Sequence, residues 1–156
     1  MRTGTMVMGA ALCLWATEAA AQTPKTWLGT WKLDVARSKL GEGPAPRSLV
    51  VTIAPAKDGG YTNVAETIQA DGKTTRAEFY ARPDGKEYPV TGPNPSTIWV
   101  KRIDDHNGEW AHLRDGKVFS KGTTSYSKDG KTRTVAFTRF DEKGGKTDIV
   151  QVFDRQ

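Results

Sequence analysis

From Trp27 onward the chain alternates between short β-branched or aromatic runs and compact polar breaks. Most breaks centre on glycine: Asp58-Gly59-Gly60, Asp71-Gly72, Asp84-Gly85, Asn107-Gly108, Asp115-Gly116, Asp129-Gly130 and Gly144-Gly145. Asp-Gly and Asn-Gly tolerate the positive φ angles of a type I′ turn, whose twist matches that of two antiparallel strands. The pattern therefore predicts strands in an opening run from Trp27 to Ala36, at Leu49 to Ile53, and near 61–70, 73–82, 86–91, 96–104, 109–114, 117–127, 131–141 and 146–155. Gly92-Pro93-Asn94-Pro95 is a further break, because proline cannot donate to a ladder. The only helical candidate is a single turn near Val35 to Leu40, leading into a polar, Pro-rich connector from Arg37 to Pro46.

Consecutive hairpin-linked strands leave two raw edges, and closing the sheet on itself removes both. Most connections are tight, favouring this closure over a sandwich, which needs longer crossovers. The expected fold is all-β, an antiparallel up-and-down β-barrel of about 8–10 strands, a number that encloses a lumen of small-ligand size.

The first 21 residues alter the picture of where such a barrel works. Arg2, an apolar stretch from Met6 to Trp15 and Ala19-Ala20-Ala21 form the pattern of an export signal, with cleavage near Ala21-Gln22. The apolar stretch is too short to span a bilayer. Residues 1–21 are thus expected to be a signal peptide and 22–156 the barrel domain, periplasmic or secreted. Cys13, the only cysteine, follows Leu12 where a lipidation motif wants a small residue, so it is assigned to the apolar stretch. The domain then has no disulfide and depends on its core and ladders. Arg2 and Glu18 cancel, so residues 22–156 keep the formal charge of +5, carried largely by solvated turn lysines such as Lys73, Lys86, Lys117 and Lys131. At most this implies weak attraction to anionic envelope surfaces. No arginine–aromatic pattern of nucleic-acid binding is present.

Trp27-Leu28-Gly29-Thr30-Trp31-Lys32-Leu33 resembles the Gly-x-Trp opening of the calycin superfamily, which includes lipocalins, intracellular fatty-acid and retinoid carriers and exported bacterial lipocalin-like proteins. The last strand, ending Val150 to Arg155, is similar to the closing strand of the intracellular carriers. Tyr88 to Gly92 and Val100 to Asp104 resemble the middle of the exported bacterial type. The resemblance implies a lipocalin-like barrel in which Gly29, Trp31 and Arg155 close one end, the arginine lying across the indole. It also implies a departure. Fatty-acid carriers place an Arg and a Tyr on the last strand to hold a carboxylate, whereas Gln151 and Phe153 stand at the matching positions here. That pair resembles the retinol-carrying branch and implies a neutral or weakly polar ligand. Residues Arg37 to Pro46 are also too short for the helical lid of the intracellular carriers.

By strand alternation Ile149, Gln151 and Phe153 share one face, and so do Arg133, Val135, Phe137 and Arg139. Arg139 has two readings, an anion anchor at one mouth or a solvated strand end. Candidate ligand contacts are Phe79, Tyr88, Trp110, His112, Phe137, Arg139, Gln151 and Phe153, with Trp99, Tyr80 and Tyr126 as further aromatic surface or ordinary packing. His106 precedes Asn107-Gly108 and is assigned to a turn. Two histidines six apart, without cysteine, form no recognisable metal site. Catalysis by His112 requires a partner such as Glu66 or Glu78 within hydrogen-bond reach. No nucleophile elbow, phosphate loop or dinucleotide fingerprint occurs, so no catalytic residue and no cofactor is assigned. The expected function is non-covalent binding or carriage of a small, largely apolar molecule in the lumen. A small barrel enzyme of isomerase, lyase or decarboxylase type, and a ligand-free module that binds another protein, are the alternatives.

Overall fold

The computed structural model describes residues 22–156, so the expected signal segment and Cys13 lie outside the described residues. Ten antiparallel strands follow one another in the order β1 (Gly29–Lys39), β2 (Ser48–Pro55), β3 (Tyr61–Ile68), β4 (Thr74–Ala81), β5 (Asp84–Thr91), β6 (Ser96–Arg102), β7 (Asn107–Arg114), β8 (Lys117–Tyr126), β9 (Thr132–Phe140) and β10 (Lys146–Arg155). Each pairs with its sequence neighbours, and β1 pairs with β10, so the sheet is a closed up-and-down barrel. Two short 3-10 turns, Lys25–Trp27 and Lys57–Gly59, are the only helical pieces among the described residues.

The predicted helical turn near Val35 is instead the far half of β1, where the pairing with β10 slips between Asp34 and Lys39. Asp34 accepts a hydrogen bond from the Arg37 amide at 3.1 Å, which is the capping signal that mimics a helix start. Here it shapes a bulge. Ser38 repairs the broken ladder, its hydroxyl donating to the Asp34 carbonyl at 2.6 Å and accepting from the Val152 amide at 2.9 Å.

The Asp-Gly turns also divide by mechanism. Asp115 and Gly116 both take positive φ, 50° and 74°, as a type I′ turn requires. At Asp71, Asp84 and Asp129 only the following glycine does so. Each of these aspartates instead accepts from the amide two residues on, that of Lys73, Lys86 or Lys131. Asn107-Gly108 is not a turn but the first two residues of β7. A Cβ on Gly108 would stand 2.7 Å from the Trp27 ring, so this glycine is needed for packing.

One seam of the barrel is thin. β4 and β5 pair only at Glu78↔Thr91 and Phe79↔Val90. Below these pairs the strands part around Pro83, which is fully buried and has no amide hydrogen to donate. Side chains fill the gap: the Tyr80 and Tyr88 rings meet edge-to-face at 5.6 Å, and the Tyr88 hydroxyl donates to Asp84 at 2.8 Å.

Candidate functional site

Cross-strand register carries a single inward face around the barrel. Trp31 lies opposite Val51, Val51 opposite Ala65, Ala65 opposite Ala77, and Phe79 opposite Val90. On the other wall Val100 faces Trp110, Trp110 faces Gly122 and Gly122 faces Phe137. Gly122 matters because a Cβ there would press on the Phe137 Cβ at 2.5 Å. Its absence lets the Trp110 and Phe137 rings approach to 5.4 Å.

The lower end of the barrel is plugged. Trp31 is 0% exposed, and its indole N–H donates to the Trp27 carbonyl at 3.2 Å. The Arg155 guanidinium stacks on the Trp31 ring at 4.2 Å and donates to the carbonyls of Leu28 (2.6 Å), Thr26 (3.0 Å) and Gly130 (2.5 Å). Gly29, at φ 137°, leaves the room that this guanidinium occupies. The strap before β1 is also tied to two bottom turns, by the Thr23 amide to the Gly59 carbonyl at 2.9 Å and by the Thr26 hydroxyl to the Asp105 carbonyl.

Above the plug lies a cavity of about 370 Å³, within the range of small-molecule sites. Phe79, Trp110, His112, Phe137, Arg139, Gln151 and Phe153 all line it. Tyr88 does not reach it. Although Tyr88 stands opposite Ile98 in register, the parting of β4 from β5 draws its ring into the seam against Tyr80. Burial, followed by the Asp84 contact, pushes its phenol up to about 12. Trp99 and Tyr80 are likewise absent from the lining, whereas Tyr126 belongs to it.

Near the mouth, His112 lies opposite Ser120, and Ser120 opposite Arg139, in a row across three strands. The His112 Nδ1 is 3.4 Å from the Ser96 hydroxyl. Burial lowers the imidazole to about 4, so it is neutral at pH 7. Glu66 and Glu78 are not its partners: both face outward and bind Arg76, at 3.1 and 2.9 Å. The row thus has no carboxylate to orient the imidazole. Among the described residues no three His, Cys, Asp or Glu side chains are grouped to hold a metal ion.

At the narrow end the lining contains Trp27, Tyr61, Tyr126 and Arg133. Trp27 stacks on Tyr126 at 5.8 Å and meets Tyr61 edge-on at 6.2 Å. Burial raises both phenols, and at Tyr126 the neighbouring Arg133 side chain, which hydrogen-bonds it, opposes part of that rise. Arg133 is the residue that the sequence reading passed over. It shares a face with Phe137 and Arg139, and the same alternation carries it to the opposite end of β9, at the foot of the lumen.

A closed ten-strand antiparallel barrel is consistent with a calycin or lipocalin-like fold. No protein-family model matches this chain, and no curated protein is significantly similar to it.

Proposed function

We propose that this protein binds a small, largely apolar molecule non-covalently in its barrel lumen, as a carrier or binding protein. One observation carries the reading: a roughly 370 Å³ cavity, walled mainly by aliphatic and aromatic side chains, lies within a barrel plugged at one end. Each Å² of apolar ligand surface removed from water contributes about 25 cal/mol, so a guest of modest size gains several kcal/mol from these walls. Gln151, Ser96 and the neutral His112 supply polar groups that orient it. The export pattern of residues 1–21 adds that this binding takes place in the periplasm or outside the cell, with weak attraction of the +5 chain to anionic envelope surfaces.

Titration with Nile red, a neutral apolar dye, tests the reading. Saturable binding with a blue-shifted emission is expected, together with co-purification of a small molecule visible by native mass spectrometry. The same spectra give the mature mass, expected to begin at Gln22. Dye that does not bind, on protein that carries no extractable molecule, would remove the case for carriage.

A further inference from the structure

We infer that the guest is a flat, fused-ring aromatic molecule, selected by a wall of rings formed by Phe119, His112, Trp110 and Phe137. The inference rests on lumen binding as proposed above and specifies the chemical class of the guest.

The wall begins with an irregularity of β8. Alternation from the inward Ser120 would turn Phe119 away from the lumen. Instead the pairing of β7 with β8 slips: His112 stands opposite Ser120 and Leu113 opposite Val118, so Phe119 is the extra residue of a bulge. Bulges re-aim side chains at the rims of barrels. Phe119 and Ser120 both line the cavity, whereas Val118 is outside the lining and 40% exposed. The bulge thus adds a ring at the mouth that a regular strand would have withheld.

From Phe119 the rings continue inward without a break. The Phe119 ring meets His112 at 5.9 Å, His112 meets Trp110 at 5.5 Å, and Trp110 meets Phe137 at 5.4 Å. All four line the cavity. The Arg114 guanidinium lies over the Phe119 ring, 4.8 Å from its centroid, and steadies it from the rim. Burial keeps His112 neutral, so the imidazole adds an uncharged ring to the row.

The opposite side of the barrel is built differently. β3 and β4 lie five strands round the ring from β8 and β9. There Ala65 and Ala77 pair in register and line the cavity. Rings on one wall and methyl groups on the other leave room for a plate lying against the rings. Phe79, the next inward position down β4, bounds that space towards the foot together with Tyr61, 5.9 Å away. A saturated guest gains from these walls in proportion to its area alone. An aromatic guest gains the offset and edge-on contacts between π-systems as well. That surplus is what the row of rings offers.

The test compares 2-naphthol with 1-adamantanol, one flat and aromatic and the other globular and saturated, as competitors of Nile red on the full protein at pH 7.5. Both are neutral alcohols of equal carbon count, so a hydroxyl contact enters both alike. Each affinity is corrected for the compound's octanol–water partition. Wild type is expected to prefer 2-naphthol by about tenfold, the value of one or two ring–ring contacts. Phe119→Leu and Trp110→Leu keep apolar bulk but remove a ring, and each should reduce the ratio to about threefold or less. Each ratio is taken within one variant, so a general loss of affinity cancels. The wild-type ratio and Phe119→Leu decide the matter if Trp110→Leu does not fold. Equal binding of the two alcohols by wild type overturns the aromatic class while leaving lumen binding intact. A preference undiminished in either variant overturns the role given to that ring. Bound dye that 2-naphthol does not displace overturns the inference as a whole. If neither the dye nor the alcohols bind, lumen binding fails and the aromatic guest fails with it.

Discussion

His112 shows how a single side chain reports its surroundings. Its imidazole stands edge-to-face to Trp110 at 5.5 Å and near Phe119 at 5.9 Å, and this apolar setting favours the neutral form. With the folded value held near 4 and the unfolded value near 6.5, the unfolded chain binds the extra proton in the window between them. The neutral imidazole is therefore tolerated in full above about pH 6.5, and folding stability falls as the pH drops towards 4. A shift of this size corresponds to at most about 3 kcal/mol. Urea unfolding at a series of pH values should show that loss in wild type and less of it in His112→Phe. Parallel curves for the two proteins would mean that His112 does not titrate across this window. The carboxylates of Asp34, Asp104 and Asp129 are held below their usual range by hydrogen bonds, so they act lower on the pH scale and in both proteins alike.

At the scale of strands, the β4–β5 seam is the point where the ladder is least continuous. Two paired positions join these strands, against eight between β3 and β4. Segments with few backbone pairs open at lower free energy than the global transition. Backbone amides facing the seam between Tyr80 and Tyr88 should exchange with deuterium about a hundredfold faster than those of Val50 to Ile53. Uniform protection around the barrel would show that the tyrosine packing substitutes fully for the missing pairs. The seam was not legible beforehand because alternation places Tyr88 inward, and only the parting of two strands turns it aside. Hairpin order, by contrast, was plain from Gly-rich breaks and β-branched runs, since local chemistry decides both. Arg133 occupied an intermediate position: its face was readable, but its burial depends on which end of the barrel Trp27 closes. Asn107-Gly108 misled, because the glycine there answers to a distant indole rather than to a turn.

For the molecule as a whole, closure depends on one residue that touches three segments. Arg155 joins the strap at Thr26 and Leu28 to the β8–β9 turn at Gly130 and covers Trp31. Arg155→Ala removes the stacking contact and three charge-assisted hydrogen bonds, some of which water replaces. A loss of about 3 kcal/mol is expected, measured as a lower urea midpoint with an unchanged m-value. Arg155→Lys should recover only part, since an ammonium lacks the planar fork. A midpoint within about 0.5 kcal/mol of wild type in Arg155→Ala would show that the plug holds without its latch.

The strap that carries Trp27 has a consequence for orientation. Thr23 sits on the β2–β3 turn and Gln156 donates its amide to Thr30, so both ends of the described chain leave the barrel from the same pole. A partner fused to either end, or a surface to which either end is coupled, would hold the molecule by its base and turn the open rim outward. Immobilised this way, the protein would keep its cavity mouth clear of the support, whereas attachment through the Gly92 or Gly116 loops would face the rim towards it.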